Sequence, residues 1–215
     1  MSKKIQLFFL TLLFLGACKK ESDTYSLQGF VMNIQNSQPL ENVNVTIKKQ
    51  VVQSGVFNNN FIAAANYTTS TDGSFYVNWP RENFAALRIV CEKNQFITVT
   101  KDLNLQNFTS HSYQTMSVQM NPEAFIHVRI RNLNITAPTD NFAFTFTNAN
   151  FDCACCANGL KSFSGAEVDS TFECKLYGDT WLKYQKFIAT SEADTILTDS
   201  IYCPSFQTTL LDITY

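Results

Sequence analysis

The chain is poor in the residues on which most catalytic motifs depend. It has two histidines in 215 residues, His111 and His127, and histidine is the side chain that ordinarily titrates near neutral pH. Neither stands beside a nucleophile motif, and no G-x-S-x-G, H-E-x-x-H or G-x-x-x-x-G-K pattern occurs. The carboxylates are scattered, so nothing singles out a glycosidase pair. We therefore expect a protein that is not an enzyme and has no cofactor.

Three further scarcities exclude other classes of protein. Seven glycines and five prolines are too few for a collagen-like or low-complexity chain. The formal net charge is −2, whereas nucleic-acid binding needs clustered lysine and arginine, so no nucleic-acid partner is expected. Phenylalanine is abundant instead, with 19 residues, which is enough apolar material for a core. The length fits one large or two small domains.

The chain also lacks an apolar run long enough to span a bilayer, which takes about 20 residues. The longest run is residues 5–15. It follows Lys3 and Lys4 and precedes small residues, an order typical of a secretory signal.

The signal ends in Leu15-Gly16-Ala17-Cys18, which resembles the lipobox of bacterial lipoproteins. In that family the cysteine thiol is lipidated as a thioether and the chain is cut just before it. The resemblance implies a signal peptide over residues 1–17, a lipidated Cys18 that anchors the protein to a membrane, and a polar leash over residues 18–24. An ordinary cleavage site with an incidental cysteine is the alternative.

The expected location is the cell envelope, at the outer membrane. Glu21 and Asp23 follow the lipidated cysteine closely and resemble surface-export signals of some Gram-negative lipoproteins. Ser22 separates the two acidic residues, so surface display and a periplasm-facing location both remain open.

From Ser26 onward the sequence alternates apolar and polar residues with the period of a β-strand. Val43, Val45 and Ile47 place their side chains on one face of such a strand. The segment Thr71-Asp72-Gly73-Ser74 predicts a hairpin turn, because glycine can adopt the positive φ that the turn needs. Pro122 is predicted to end the last strand of this half.

Three segments of the first half carry a family resemblance. They are Gly29-Phe30-Val31, residues 38–45 (QPLENVNV) and residues 71–75 (TDGSF). Together they resemble the carboxypeptidase regulatory-like module over residues 25–121. The resemblance implies a transthyretin-like β-sandwich without catalytic residues. The sequence departs from the family pattern through extra residues around positions 50–60 and at Asn94-Gln95-Phe96.

The second half, residues 122–215, continues the β pattern without that motif. We expect a second antiparallel sandwich, immunoglobulin-like and packed end to end with the first, so the fold class is all-β with two tandem sandwiches. His127 would point outward. The stripes expected in the second core are Ile126, Val128 and Ile130; Phe142, Phe144 and Phe146; Phe172, Cys174 and Leu176; and Leu211, Ile213 and Tyr215.

Besides Cys18 the chain has six cysteines. Beyond the inner membrane the environment is oxidising, so disulfides are the first expectation, although the sequence does not fix the pairing. Our preference links the segment 151–159 to Cys174 or Cys203. Cys91 stands alone in the first half and is expected to be a buried free thiol. The disulfide candidates are Cys153, Cys155, Cys156, Cys174 and Cys203.

An alternative function uses the cluster Asp152-Cys153-Ala154-Cys155-Cys156 as a thiol-dependent metal or redox site. Zinc signatures, however, bring a second cysteine or histidine pair, and thioredoxin-type sites need C-x-x-C; the sequence has neither. We therefore expect no metal site.

Three triplets resemble the acceptor sites for O-glycosylation in some envelope proteins of Gram-negative bacteria. They are Asp169-Ser170-Thr171, Asp194-Thr195-Ile196 and Asp199-Ser200-Ile201. Their hydroxyl residues, Ser170, Thr195 and Ser200, are the glycosylation candidates.

These features together predict a lipid-anchored envelope protein that acts as a non-catalytic binding or scaffold module. β-Sandwiches present loops at their ends and strand edges at their sides, and both suit recognition. The expected partner is an envelope protein or a glycan.

Overall fold

The computed structural model describes residues 24–53, 56–57, 60–108, 113–133, 141–149, 159–165, 167–189 and 194–215. No helix within these ranges is long and apolar enough to cross a membrane. The only helix described is a 3-10 turn, η1 (Leu105–Asn107). The strands are β1 (Thr24–Asn33), β2 (Asn44–Gln53), β3 (Val56–Phe57), β4 (Ile62–Thr68), β5 (Ser74–Pro80), β6 (Phe84–Glu92), β7 (Val99–Leu103), β8 (Tyr113–Met120), β9 (Glu123–Arg131), β10 (Asn141–Phe146), β11 (Lys161–Ser164), β12 (Asp169–Tyr177), β13 (Thr180–Ala189), β14 (Asp194–Cys203) and β15 (Thr208–Thr214).

These strands form four sheets that pair into two sandwiches. The first sandwich has a three-stranded sheet, β5-β1-β8, and a second sheet in the order β3-β2-β6-β7 with β4 also paired to β2. The second sandwich has the sheets β12-β9-β15 and β11-β10-β13-β14. The expected fold class, all-β with two tandem sandwiches, is confirmed.

The first core lies between the two sheets of the first sandwich and is built from alternating side chains. Val43, Val45 and Ile47 are completely buried, as their alternation predicts. Trp79 enters the same core from β5, and its ring centroid lies 5.5 Å from that of Phe108. Each side chain of this size contributes about 1.5–3 kcal/mol when it leaves water.

The second core has the same construction with larger aromatic side chains. The predicted stripe Phe142, Phe144 and Phe146 is buried. The ring of Phe142 stacks on that of Tyr215 with centroids 4.4 Å apart. Ile126 and its alternating neighbours on β9 face them from the other sheet, so this half has an apolar core of its own.

The second sandwich repeats the connectivity of the first. In each, the first strand lies in the middle of the three-stranded sheet, antiparallel to one neighbour and parallel to the last strand of that sandwich: β1 between β5 and β8, and β9 between β12 and β15. In an immunoglobulin domain the first two strands are neighbours in one sheet. Here β9 is hydrogen-bonded on both sides to other strands and β10 lies in the opposite sheet, so the immunoglobulin-like expectation for this half is corrected.

The turn at residues 71–74 has the predicted backbone but a different role. Gly73 adopts φ 74°, as expected. However, the strands on either side do not pair with each other: β4 pairs with β2, and β5 pairs with β1. The amide of Val31 donates to the carbonyl of Gly73 at 2.9 Å and draws the chain toward β1. The turn therefore carries the chain from one sheet to the other and is not a hairpin.

The connection between the sandwiches is short and hydrogen-bonded on both sides. β8 ends at Met120, before Pro122 as predicted, and Pro122 forms an isolated bridge with Phe96. The amide of Glu123 donates to the carbonyl of Gln95 in the first sandwich at 2.8 Å. From the second sandwich, the amide of Gly178 donates to the carbonyl of Pro122 at 2.8 Å. The connector is thus part of both bodies.

Gly29 marks the closest approach of strands in the first sandwich. A Cβ built there would overlap the backbone carbonyl of Met116 on β8 and lie 2.9 Å from the Phe75 ring. We expect Gly29→Ala to lower the free energy of unfolding by about 1–3 kcal/mol, the usual cost of overpacking. Gly159→Ala is the matched control, because nothing lies within 4 Å of its Cβ position. Urea unfolding measures both; equal stability of the two variants would contradict the close approach.

Candidate functional site

The outer surface of the sheet β5-β1-β8 is the strongest candidate for a functional site. Because Leu27 and Val31 on β1 are buried, the intervening Gln28 and Phe30 must face outward. Strand pairing sets Gln28 between Tyr76 on β5 and Thr115 on β8. We call this outer surface the aromatic face.

A groove with a volume of about 310 Å³ crosses the aromatic face. Four aromatic residues line it: Phe75 is buried, whereas 49% of Phe30, 49% of Tyr76 and 37% of Tyr67 are exposed to solvent. Tyr67 comes from β4, an edge strand of the opposite sheet. Gln28, Ser74 and Thr115 add neutral polar groups to the lining. The groove thus combines flat apolar surfaces with hydrogen-bonding groups.

The polar groups of the groove are partly held in place. The Gln28 amide nitrogen donates to the Thr115 hydroxyl at 3.3 Å. The Ser74 hydroxyl lies 2.6 Å from that of Ser70. These contacts fix two sides of the groove.

The aromatic face carries no formal charge in the part of the chain that the structure describes. This follows from reading the outward positions of its three strands, whose burial alternates as in any half-buried sheet. The outward residues are Thr24, Ser26, Gln28, Phe30 and Met32 on β1; Ser74, Tyr76, Asn78 and Pro80 on β5; and Tyr113, Thr115, Ser117 and Gln119 on β8.

The corresponding face of the second sandwich has the opposite character. Strand pairing places Arg129 at the position of Phe30 and Glu173 at the position of Tyr76. Ion pairs cross this face between neighbouring strands, and the hydrogen bond from Arg129 lowers the pKa of Asp169 below its usual range. The pairs are Arg129–Asp169 at 2.5 Å, Arg131–Asp212 at 2.6 Å and Lys175–Glu123 at 2.6 Å. The sheets β5-β1-β8 and β12-β9-β15 therefore share the same strand connectivity but have very different outer surfaces.

A hydrogen-bonded turn supports the groove at the start of β5. The Asp72 carboxylate accepts from the Ser74 amide at 3.0 Å and from the Ser70 hydroxyl at 2.8 Å. Hydrogen bonds from Ser74 and then Ser70 lower the pKa of Asp72 to about 2, so the carboxylate stays charged well below neutral pH.

The described cysteines differ in state. Cys91 is free and buried, as expected, and burial raises the pKa of its thiol to about 12. Cys203 is also free, so its proposed disulfide is wrong; its thiol lies in the second core, where burial raises its pKa. Cys174 is disulfide-bonded. The other candidates, Cys153, Cys155 and Cys156, and the lipidation candidate Cys18 lie outside the described residues.

The glycosylation candidates occupy two kinds of position. Thr195 and Ser200 are exposed on β14, which among the described strands pairs with β13 alone and so lies at the edge of its sheet. Ser170 is half-buried on β12, on the same side of that strand as Phe172, which packs against the second core. Their accessibility therefore differs.

The remaining titratable groups show no cluster of ligands. His127 is half-buried on β9 and lies opposite Glu173, whereas His111 lies outside the described residues. Within the described ranges no group of three or more His, Cys, Asp or Glu side chains is placed to hold a metal ion. The cluster Asp152–Cys156 falls outside those ranges.

Sequence reasoning did not select the aromatic face. In the sequence Phe30 stood out only as part of the Gly29-Phe30-Val31 motif, and alternating aromatic residues were predicted to lie in the core. The usable signal was the set of uncharged residues at alternate positions of three separate segments, but it becomes a surface only once β1, β5 and β8 are known to be neighbours.

Comparison with known proteins gives no family for the chain. No family model matches it, so the carboxypeptidase regulatory-like resemblance is not confirmed, and no curated protein matches its sequence. Among solved structures, the Bacillus anthracis TIE protein matches with 10% identity and a TM-score of 0.36 over 90% of this chain and 34% of that one. A streptococcal ancillary pilin matches with 12% identity and a TM-score of 0.34 over 90% and 63%.

A third solved structure, GBS52, the minor pilin of Streptococcus agalactiae, matches with 10% identity and a TM-score of 0.33 over 88% of this chain and 94% of that one. The chain spans about a third of the length of the TIE protein and under two thirds of that of the ancillary pilin. At these identities and TM-scores the likeness says nothing about function.

The turn over residues 70–74, which we call the Asp72 turn, contributes to the stability of the folded protein in a way that depends on pH. Because the pKa of Asp72 falls from 3.8 to about 2 on folding, its stabilisation is present above about pH 4 and is lost as the pH falls toward 2. Asp72→Ala should therefore lower the urea midpoint at neutral pH, and the difference from the parent protein should close near pH 2. Asp194→Ala, at the exposed start of β14, is the control. A difference that does not change with pH would rule out the charged turn.

Proposed function

We propose that the chain is a lipid-anchored, non-catalytic binding module of a bacterial cell envelope, and that the aromatic face is the surface on which an envelope protein or a glycan docks. The observation that carries the proposal is the contrast between two sheets of the same connectivity. One has ion pairs on its outer face, and the other has exposed rings and no charge.

The exposed rings are not required by the fold. At the positions of Phe30 and Tyr76, the second sandwich has Arg129 and Glu173, so charged residues satisfy the same backbone. Contiguous apolar surface rimmed by polar groups is typical of interaction sites. Tyrosine is well suited to such sites because it offers a large flat ring and a hydroxyl group. The rings on β1 and β5 therefore favour a recognition role.

The proposed chain organisation assigns residues 1–17 to the signal peptide and residues 18–24 to a leash that begins at lipidated Cys18. Residues 25–121 and 122–215 then form the two domains. The separate apolar clusters, one from Leu27 to Met120 and the other from Ala124 to Ile213, support this division. The proposed location is the outer membrane, on its periplasmic or surface side.

Two covalent features belong to the proposal. A disulfide would link Cys174 to a cysteine of the segment 151–159; its support is that Cys174 is bonded while Cys91 and Cys203 are free. O-glycosylation is proposed at Thr195 and Ser200, whose exposure on an edge strand gives a modifying enzyme access. Ser170 is the weakest of the three candidates because it is half-buried.

The anchor is tested by Cys18→Ser. Without the thiol no thioether forms, so the precursor should stay uncut before residue 18 and the mature form should disappear from the detergent phase on phase partitioning. Intact mass of the parent protein should show cleavage before Cys18 together with added acyl mass. Unchanged processing and membrane fractionation of the variant would remove the anchor and the assigned address.

The docking surface is tested by photo-crosslinking in intact cells. A photoreactive amino acid in place of Thr115 should give a crosslinked adduct, whereas one in place of Leu210, the equivalent position on the second sandwich, should give little. The double variant Phe30→Ala, Tyr76→Ala should reduce the Thr115 adduct by about tenfold, since both rings leave the contact. Equal adducts from the two positions, or an adduct unaffected by loss of the rings, would contradict the assignment.

A further inference from the structure

We infer that the groove on the aromatic face binds a neutral glycan, lying across the strands so that about two consecutive sugar rings occupy it. This inference rests on the proposed recognition function and names the ligand class of the same surface. The observations behind it are the composition of the groove, its charge, its shape and its direction.

The composition of the groove matches both surfaces of a sugar. One face of a pyranose ring carries C–H bonds, which pack against flat aromatic rings, and its edges carry hydroxyl groups, which need donors and acceptors in the same plane. Phe30, Tyr67 and Tyr76 supply exposed rings. Gln28 and Thr115 supply an amide and a hydroxyl, each able both to donate and to accept. Gln28 and Thr115 share one hydrogen bond, and a purely apolar ligand would cover their remaining donor and acceptor positions without offering partners, which carries a free-energy cost.

The charge of the groove selects against acidic and basic ligands. Phosphate, sulfate and carboxylate groups are recognised through arginine, lysine or clustered backbone amides, and none of the lining residues is basic. None of the lining residues is acidic either, and the neighbouring Asp72 carboxylate already accepts hydrogen bonds from Ser70 and Ser74, so the lining itself offers a cationic segment no ion pair. Protein-binding surfaces are enriched in arginine as well as in aromatic residues, and the outward residues of β1, β5 and β8 include no arginine. A neutral ligand is therefore favoured, because it gives up no charge–water interactions that the lining fails to replace with ion pairs.

The shape and direction of the groove fit a chain rather than a flat partner. Its volume of about 310 Å³ lies at the lower end of the range for small-ligand sites, about 300–1,000 Å³. Its lining residues come in turn from β4, β5, β1 and β8, so it runs across the strands. Neighbouring strands are about 4.8 Å apart, a distance comparable to one sugar ring, and the step from β5 to β8 takes two such spacings.

The groove is also ordered before any ligand enters. On one side of the groove, the Gln28 amide nitrogen donates a hydrogen bond to the Thr115 hydroxyl at 3.3 Å, which orients both side chains. The Asp72 turn holds Ser74 on the other side, and the Gly73 carbonyl accepts from Val31 on β1. A preformed site loses less conformational entropy on binding, which favours specific binding of a short glycan segment.

The inference is tested on the full lipoprotein in detergent micelles by native affinity electrophoresis. The neutral probes are dextran, mannan, xyloglucan and galactan, together with the neutral polysaccharide fraction released from the envelope of the producing cells; alginate and heparin are the charged probes. At least one neutral probe should retard the protein. Phe30→Ala and Tyr76→Ala should each weaken that retardation about tenfold, and Tyr76→Phe should retain most of it. Trp181→Ala is the matched control, because this exposed ring lies on the other sandwich.

Circular dichroism and thermal melting of each variant ensure that lost retardation reflects the groove and not unfolding. Several results would overturn the inference: no retardation by any neutral probe, stronger retardation by alginate or heparin, or retardation that survives loss of both Phe30 and Tyr76 in a folded protein. If the neutral probes fail while the Thr115 crosslink yields a protein adduct that needs the same rings, the glycan inference is wrong and the docking function stands. If both experiments fail, the docking function is wrong as well.

Discussion

Burial of every second side chain on β1 is the constraint on which the candidate site depends. Leu27 and Val31 are held in the core, and Gly29 between them leaves the space that the Met116 carbonyl and the Phe75 ring occupy. Since successive side chains of a strand point to opposite faces, Gln28 and Phe30 must face water. A slip of one residue would exchange the two sets and place an amide in the core. The same packing that stabilises the first sandwich therefore decides what its surface presents.

The sequence was most informative where a property depends on near neighbours. Strand alternation placed Val43 and Phe142 in the cores, and the special backbone freedom of glycine placed Gly73 at a positive φ. The sheet to which each strand belongs could not be predicted in this way, because an alternating pattern shows which face of a strand is buried but not which strand lies beside it. The hairpin at Gly73 and the immunoglobulin-like order were corrected for this reason. A repeat was also missed, although the inward positions of the two segments correspond in order: Leu27, Gly29, Val31 and Asn33 of β1 align with Ile126, Val128 and Ile130 of β9 and with the buried Asn132 just after it.

The functional surface was less predictable than the fold. Phe30, Tyr76 and Thr115 lie far apart in sequence, and only the pairing of their strands makes them one surface. A phenylalanine in a strand is usually buried, and β1 has apolar residues at both alternating sets of positions, Leu27 and Val31 in one and Phe30 in the other, so the sequence alone does not show which set faces water. Cys203 shows the converse limit: its inward position was foreseen, but a buried thiol needs a partner at the right distance before it forms a disulfide, and that distance is a property of the assembled core.

The parallel pairing of the first and last strands gives each sandwich a mechanical property. In the first, β1 and β8 run side by side in the same direction, from Ser26 beside Tyr113 to Asn33 beside Met120, and β9 and β15 repeat this arrangement. Tension applied between the two ends of such a body acts along the paired strands, so their hydrogen bonds are sheared together instead of opening one after another. If the protein is held at one end and pulled at the other, the hydrogen bonds between β1 and β8 and between β9 and β15 would thus give the greatest resistance to unfolding.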